Sequence, residues 1–258
     1  MLTDSHCHLD KVDLTPFDGR IENMLDHARQ AGVSQFLCVC IDMEHFEDVH
    51  RIARDFDDVY CSVGLHPTHQ DGMEPDVDTL VRFSSQDHVI ATGETGLDNF
   101  HFKNDADMTW QHDRFRTHIR AARESGKPLI IHTREAKEDT IRILREEKAD
   151  EVGGVMHCFA EDWETAQKAL DLGFYISFSG IVTFNSAKEL QQVAQKVPED
   201  RMLVETDSPW LAPTPNRGKP NQPAYVQYVA EKMAELRQCD YQHIVKTTTD
   251  NFNTLFKL

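Results

Sequence analysis

Short, nearly unbroken apolar runs alternate along the chain with longer amphipathic stretches. The runs Leu2–Ser5, Gln35–Ile41, Val59–Val63, Val89–Thr92, Leu129–Ile131, Gly154–Cys158, Phe174–Phe178 and Met202–Glu205 read as eight strands. Between them, apolar residues recur at helical spacing. Arg20–Gln30 carries Ile21, Met24, Leu25 and Ala28 on one face and stops near Gly32, a C-cap residue. His45–Phe56 repeats the pattern with Phe46, Val49, Ile52, Ala53 and Phe56. Val77–Phe83, Asp107–Glu124, Ala136–Glu147, Trp163–Leu172, Ala187–Lys196, Ala224–Leu236 and Tyr241–Phe256 read as further helices. A sheet wetted on one face alternates polar and apolar positions, whereas continuous apolar strands are covered on both faces. Regular strand–helix alternation therefore predicts an α/β fold with a parallel sheet coated by helices. Eight such units in 258 residues predict a single domain over 1–258, a (β/α)8 TIM barrel. A doubly wound open sheet is the alternative. The Pro- and Gly-rich stretch Pro213–Pro223 reads as a long loop after the eighth strand.

Composition narrows the setting. No run approaches the ~20 apolar residues that span a bilayer, and the N-terminus reaches Asp4 without a basic and then apolar leader. A cytoplasmic location and no membrane partner are expected, and no obligate protein partner is evident. The six cysteines (Cys7, Cys38, Cys40, Cys61, Cys158, Cys239) form no Cys-X-X-Cys pair and mostly sit in apolar runs, as small buried hydrophobes do. A net charge of −17 argues against broad attraction to nucleic acid, although a local cationic centre could still hold a phosphate.

Candidate chemistry gathers at the carboxyl ends of the predicted strands. His6 and His8, separated by Cys7, project to one side of an extended strand while Cys7 points away. Glu94 follows the fourth strand, His132 the fifth, His157 ends the sixth and Asp207 follows the eighth. Any one of these reads as a buried histidine or a capping acid. Six together, at the barrel face where active sites lie, read as metal ligands. Four imidazoles and two carboxylates exceed what one zinc ion takes, so two divalent cations are expected, with Glu94 as their bridge. Such ligands admit Zn, Mn, Co or Mg. Paired ions activate water and clamp a phosphoryl group, and Asp207 could take the water's proton. Glu205, two residues before Asp207, could support the ligands.

Asp4-Ser5-His6-Cys7-His8-Leu9-Asp10, Gly64-Leu65-His66-Pro67, Gly93-Glu94-Thr95-Gly96-Leu97-Asp98, Ile131-His132-Thr133-Arg134, His157-Cys158-Phe159 and Glu205-Thr206-Asp207-Ser208-Pro209 together resemble the TatD-type metal-dependent deoxyribonucleases, from residue 4 to about residue 252. The likeness is greatest to the YcfH branch, through Gly173–Gly180 and Arg217-Gly218-Lys219. It implies a TIM-barrel hydrolase with two divalent cations that removes nucleotides from a DNA end. It also places the family's ligands on His6, His8, Glu94, His132, His157 and Asp207. After Gly-Leu-Asp this chain has Asn99-Phe100-His101 where the family has aromatic residues.

Catalysis is accordingly expected from Asp207 and Glu94, with His66 and Arg134 touching substrate, DNA with single-stranded or frayed ends. Arg134 could instead serve a structural ion pair. Arg217 and Lys219 are candidate phosphate contacts, and Phe100, Phe159 and Trp210 candidate stacking surfaces, with apolar packing the alternative for Phe159. The competing function is an amidohydrolase-like enzyme cleaving an amide, lactone or ester, such as an aminoacyl-tRNA ester.

Overall fold

A computed structural model, describing residues 1–70, 72–103 and 107–258, contains the expected alternation. Its strands are β1 (Leu2–Cys7), β2 (Val33–Cys38), β3 (Val59–Val63), β4 (Val89–Asp98), β5 (Leu129–Arg134), β6 (Gly154–Met156), β7 (Phe174–Phe178) and β8 (Met202–Val204). Its helices are α1 (Ile21–Gln30), α2 (Phe46–Asp55), α3 (Val77–Ser84), α4 (Thr109–Ser125), α5 (Lys137–Glu146), α6 (Trp163–Asp171), α7 (Lys188–Lys196), α8 (Val226–Arg237) and α9 (Tyr241–Phe256).

The strands lie in chain order from β1 to β8, and each neighbouring pair is parallel. Past the end of β8 the chain returns to β1. Asp207 N–H donates to the His6 carbonyl at 2.9 Å, and His8 N–H donates to the Ser208 carbonyl at 2.8 Å. An open sheet would leave these strands at opposite edges. The sheet is thus a nearly closed barrel, and the doubly wound alternative is excluded.

Two ends of the barrel do different work. Ile90, Ile130, Val155, Tyr175 and Leu203, the second residues of β4 to β8, share one buried cluster with Phe252, Leu255 and Phe256 of α9. Helix α9 therefore plugs the amino-terminal end, leaving the carboxyl end for the site.

β4 and β5 run further than their apolar residues indicate. Their pairing continues through Gly96↔His132 to Asp98↔Arg134, so Glu94 and His132 lie within strands rather than after them. The extension is polar because it faces the site. Gly96 makes the pairing possible: at φ +140° a Cβ there would lie 2.0 Å from the His132 carbonyl oxygen. Conversely β2, β6 and β8 stop earlier than expected, where their ends turn toward the site.

One buried carboxylate ties the seam together. Asp4 Oδ1 accepts the Thr206 N–H at 2.8 Å, and Asp4 Oδ2 lies 2.6 Å from Thr206 Oγ1. Burial pushes the Asp4 carboxyl up to about 8, the bonds from Thr206 opposing the shift and the charge of Glu205 adding to it. The folded chain then keeps a proton that the unfolded chain gives up near 3.8. Stability linked to Asp4 is full at low pH and erodes as pH climbs toward about 8. Asp4→Asn is expected to flatten this slope, read from urea midpoints of both proteins at about pH 5 and about pH 9.

Candidate metal centre

Glu94 occupies the middle of the site, buried on β4. Its Oε2 lies 3.4 Å from His6 Nε2 and 3.9 Å from His8 Nε2. Its Oε1 lies 2.8 Å from His157 Nε2, 3.1 Å from His132 Nδ1 and 3.2 Å from His66 Nε2. Asp207 Oδ1 stands 3.5 Å from His8 Nε2 and 3.8 Å from His6 Nε2. His6 and His8 meet Nε2 to Nε2 at 3.2 Å, as their spacing predicts. Cys7 points the other way, into the core, with Sγ 3.4 Å from the Leu37 carbonyl.

Outer partners set the tautomers of three rings. His8 Nδ1–H donates to the Val39 carbonyl at 2.9 Å. His132 Nε2–H donates to Asp98 Oδ2 at 3.1 Å, and His157 Nδ1–H to Glu205 Oε1 at 3.3 Å. Glu205 is itself held by the Cys158 N–H at 2.8 Å. Each neutral ring so fixed turns a bare nitrogen lone pair inward, toward carboxylate oxygens. Such contacts repel unless a cation lies between them. His157 Nε2 is a case in point: it is buried, has no hydrogen-bond partner, and sits against Glu94 Oε1. Two ligands about 2 Å from one tetrahedral metal stand roughly 3.3 Å apart, close to the spacings among His6, His8, Glu94 and Asp207. The donor set fits a metal.

His66 differs from the other rings. The Thr68 backbone N–H donates to its Nδ1 at 3.1 Å, so the neutral ring carries its proton on Nε2, aimed at Glu94 Oε1. In that tautomer His66 is a donor to the centre, and with Glu94 and His132 it also forms a group whose atoms lie close enough together to hold a metal. Burial lowers the His66 pKa, with the charge of Glu94 opposing.

The charges answer one another. Burial alone would raise the Glu94 carboxyl. When the rings carry protons, the charges of His157 and His66, with bonds from His132 and His157, hold it well below its usual range instead. For His157 burial is likewise outweighed, by Glu94 and Glu205, and its pKa rises well above that of an ordinary histidine. The site gathers positive charge around a buried carboxylate, whether protons or metal supply it.

Above this floor opens a cavity of about 710 Å³. Its rim holds Arg134, whose guanidinium lies over the Phe100 ring, 3.8 Å from the centroid. Among the described residues no carboxylate pairs with Arg134. Trp210 lines the opposite rim, 48% exposed, its ring edge-on to His8. Phe159 is buried and packs in the core. Arg217 stacks on Phe184, and neither it nor Lys219 lines the cavity.

Asp98 had no assigned role in the sequence. The signal was present: in the extended β4, Glu94, Gly96 and Asp98 recur at the two-residue period of one strand face.

A family model for TatD related DNases matches residues 3–257. The chain belongs to the TatD family. The uncharacterized metal-dependent hydrolase YcfH of Escherichia coli K12 is 47% identical over 258 residues, covering 100% of this chain and 96% of that protein. The uncharacterized metal-dependent hydrolase YabD of Bacillus subtilis is 39% identical over 259 residues, with 100% of both covered. The crystal structure of YjjV, a TatD homolog from Escherichia coli K12, superposes with a TM-score of 0.87 at 28% identity, covering 100% of this chain and 98% of that one. The protein is accordingly a metal-dependent hydrolase of the TatD family. No helix among the described residues is long and apolar enough to cross a membrane.

Removing the charge behind His132 should loosen metal binding. Asp98→Asn is expected to weaken affinity about 10–100-fold in a competition titration. Cys7→Ser, which leaves a donor for the Leu37 carbonyl, should retain both metal and activity.

Proposed function

We propose that this TatD-family enzyme hydrolyses phosphodiester bonds at single-stranded or frayed DNA ends, using two divalent cations. The observation that supports this most directly is the division of Glu94. One oxygen faces His6 and His8, the other His132 and His157. A carboxylate so placed can serve two cations at once, His6, His8 and Asp207 completing one set and His132 and His157 the other. Zinc, manganese, cobalt and magnesium all fit mixed imidazole and carboxylate ligands. When bound, such ions activate water and offset charge on a phosphate under attack.

The chain's own side chains supply the rest. Burial would raise the Asp207 carboxyl, but when the rings carry protons the bond from His8 and the charges of His6 and His157 hold it below its ordinary value. It is an ionised acceptor at the cavity wall, placed to take the proton of an attacking water. His66 presents an Nε2–H that can donate to the departing oxygen. Arg134 is the single Lys or Arg lining the cavity among the described residues. Stacking on Phe100 uses the face of its guanidinium and leaves the N–H edge for phosphate oxygens. Exposed Trp210 offers a surface for a base, whereas the Phe100 ring is already covered by Arg134 and Lys103.

A net charge of −17 repels a polyanion at long range, so attraction must come from Arg134 and the bound cations. A cavity lined by one guanidinium and one exposed indole favours a phosphate-bearing, base-carrying substrate over a neutral amide or lactone. Six cysteines present as free thiols suit a cytoplasmic enzyme acting as one domain over 1–258.

Asp207→Asn is expected to lower kcat for nucleotide release from single-stranded oligonucleotides by about 10²–10⁴-fold. Arg134→Ala should act mainly on KM. Full activity in the Asp207 variant would overturn this assignment. Faster cleavage of a charged tRNA or a lactone than of oligonucleotides would point to the amidohydrolase-like alternative.

A further inference from the structure

Helix α4 buries polar side chains where a barrel helix ordinarily buries apolar ones. Gln111, Arg114 and His118, at i, i+3 and i+7, share one face and are 0%, 5% and 0% exposed. Each holds main chain near the site. His118 Nε2 accepts the Leu65 N–H at 3.0 Å, while its Nδ1–H donates to the Arg114 carbonyl at 2.8 Å. Arg114 Nη1 donates to the carbonyls of His66 at 2.9 Å and His69 at 2.6 Å, and the rest of its fork grips Glu74. Gln111 Oε1 accepts the Asp98 N–H at 2.9 Å, and its Nε2 donates to the carbonyls of Pro67 at 3.1 Å and Asp98 at 3.3 Å.

We infer that this face of α4 is a clamp that positions His66 and His132 against Glu94. The chain from Leu65 to His69 leaves β3 and has no strand to pair with, so its buried carbonyls need partners. The clamp supplies them and thereby sets where the His66 ring enters the site. Through the Asp98 backbone it also sets the carboxylate that orients His132. Of the three, Gln111 touches both segments, with Pro67 on one side and Asp98 on the other. None of the three touches substrate. All three are positioning residues, and a shift of about 1 Å in what they hold is enough to cost roughly 10²-fold in rate.

This inference rests on the two-cation reading of the site, and its test separates the two. Co2+ titration of the full chain, followed by ligand-field absorption, reads the geometry around the metal without a substrate. Turnover of bis(p-nitrophenyl) phosphate is measured alongside it. Gln111→Leu is expected to weaken Co2+ binding about tenfold or more, shift the absorption band, and lower kcat with little change in KM. Gln191→Leu is a matched control. That buried glutamine donates to the carbonyls of Val182 at 3.0 Å and Phe184 at 3.1 Å, in a turn that carries no candidate ligand. It should lose thermal stability and leave the Co2+ spectrum unchanged. If Gln111→Leu does not fold, Arg114→Lys carries the test, with an intermediate band shift expected. Wild-type affinity, band and kcat in a folded clamp variant would overturn the clamp alone. Failure of the wild-type chain to take up Co2+ would overturn the metal centre on which it rests.

Discussion

Glu94 is removed from water and faced by five imidazole rings, and the architecture around it follows from that placement. An ionised carboxylate in such a position is unfavourable unless positive charge stands beside it. Neutral imidazoles with their lone pairs turned inward cannot supply that charge. A proton on a ring or a metal cation can, and acceptors on the far sides of the His8, His132 and His157 rings fix how those rings face Glu94. The site is built in layers: Glu94, then the rings, then Val39, Asp98 and Glu205 behind them.

The barrel makes this arrangement affordable. Its eight strands bring residues 6 to 207 to one rim, where each side chain leaves a strand end anchored by main-chain hydrogen bonds. The amino-terminal end is sealed by Phe252, Leu255 and Phe256, so the polar rim draws its rigidity from an apolar plug at the opposite end. Closure itself depends on polar contacts. β1 and β8 meet through Asp4 and Thr206 and through the main chain of His6, His8, Asp207 and Ser208. The candidate ligands on β1 and the one after β8 are thereby held to each other, so the contacts that close the barrel also bring them together.

Polar side chains inside this protein consequently fall into two kinds. Some face the centre. Others, such as Glu205, Asp98, Gln111 and Arg114, face the main chain or rings that carry the first kind. The second kind is harder to see in a sequence, because its residues sit on helices and strand extensions that otherwise read as ordinary amphipathic structure. Gln111 and His118 look like solvent-facing positions of a charged helix until the loop they hold is placed beside them.

The chain's own pattern was enough to determine the alternation of strands and helices, the parallel sheet and the six ligand candidates. Continuous apolar strands require cover on both faces, and side chains at equivalent strand ends must converge once the sheet curls. The pairing of His6 with His8 and the inward turn of Cys7 followed from the two-residue period of a strand, which is local geometry. Tertiary structure decided what depends on distance between remote segments. The extension of β4 through Asp98 became visible only when Gly96 was seen pressed against the His132 main chain. The different standing of His66, a proton donor among lone pairs, was settled by the Thr68 N–H at its back. Arg134 lies on Phe100 because β4 and β5 pair to their ends, and pairing register is a property of two strands that neither contains alone.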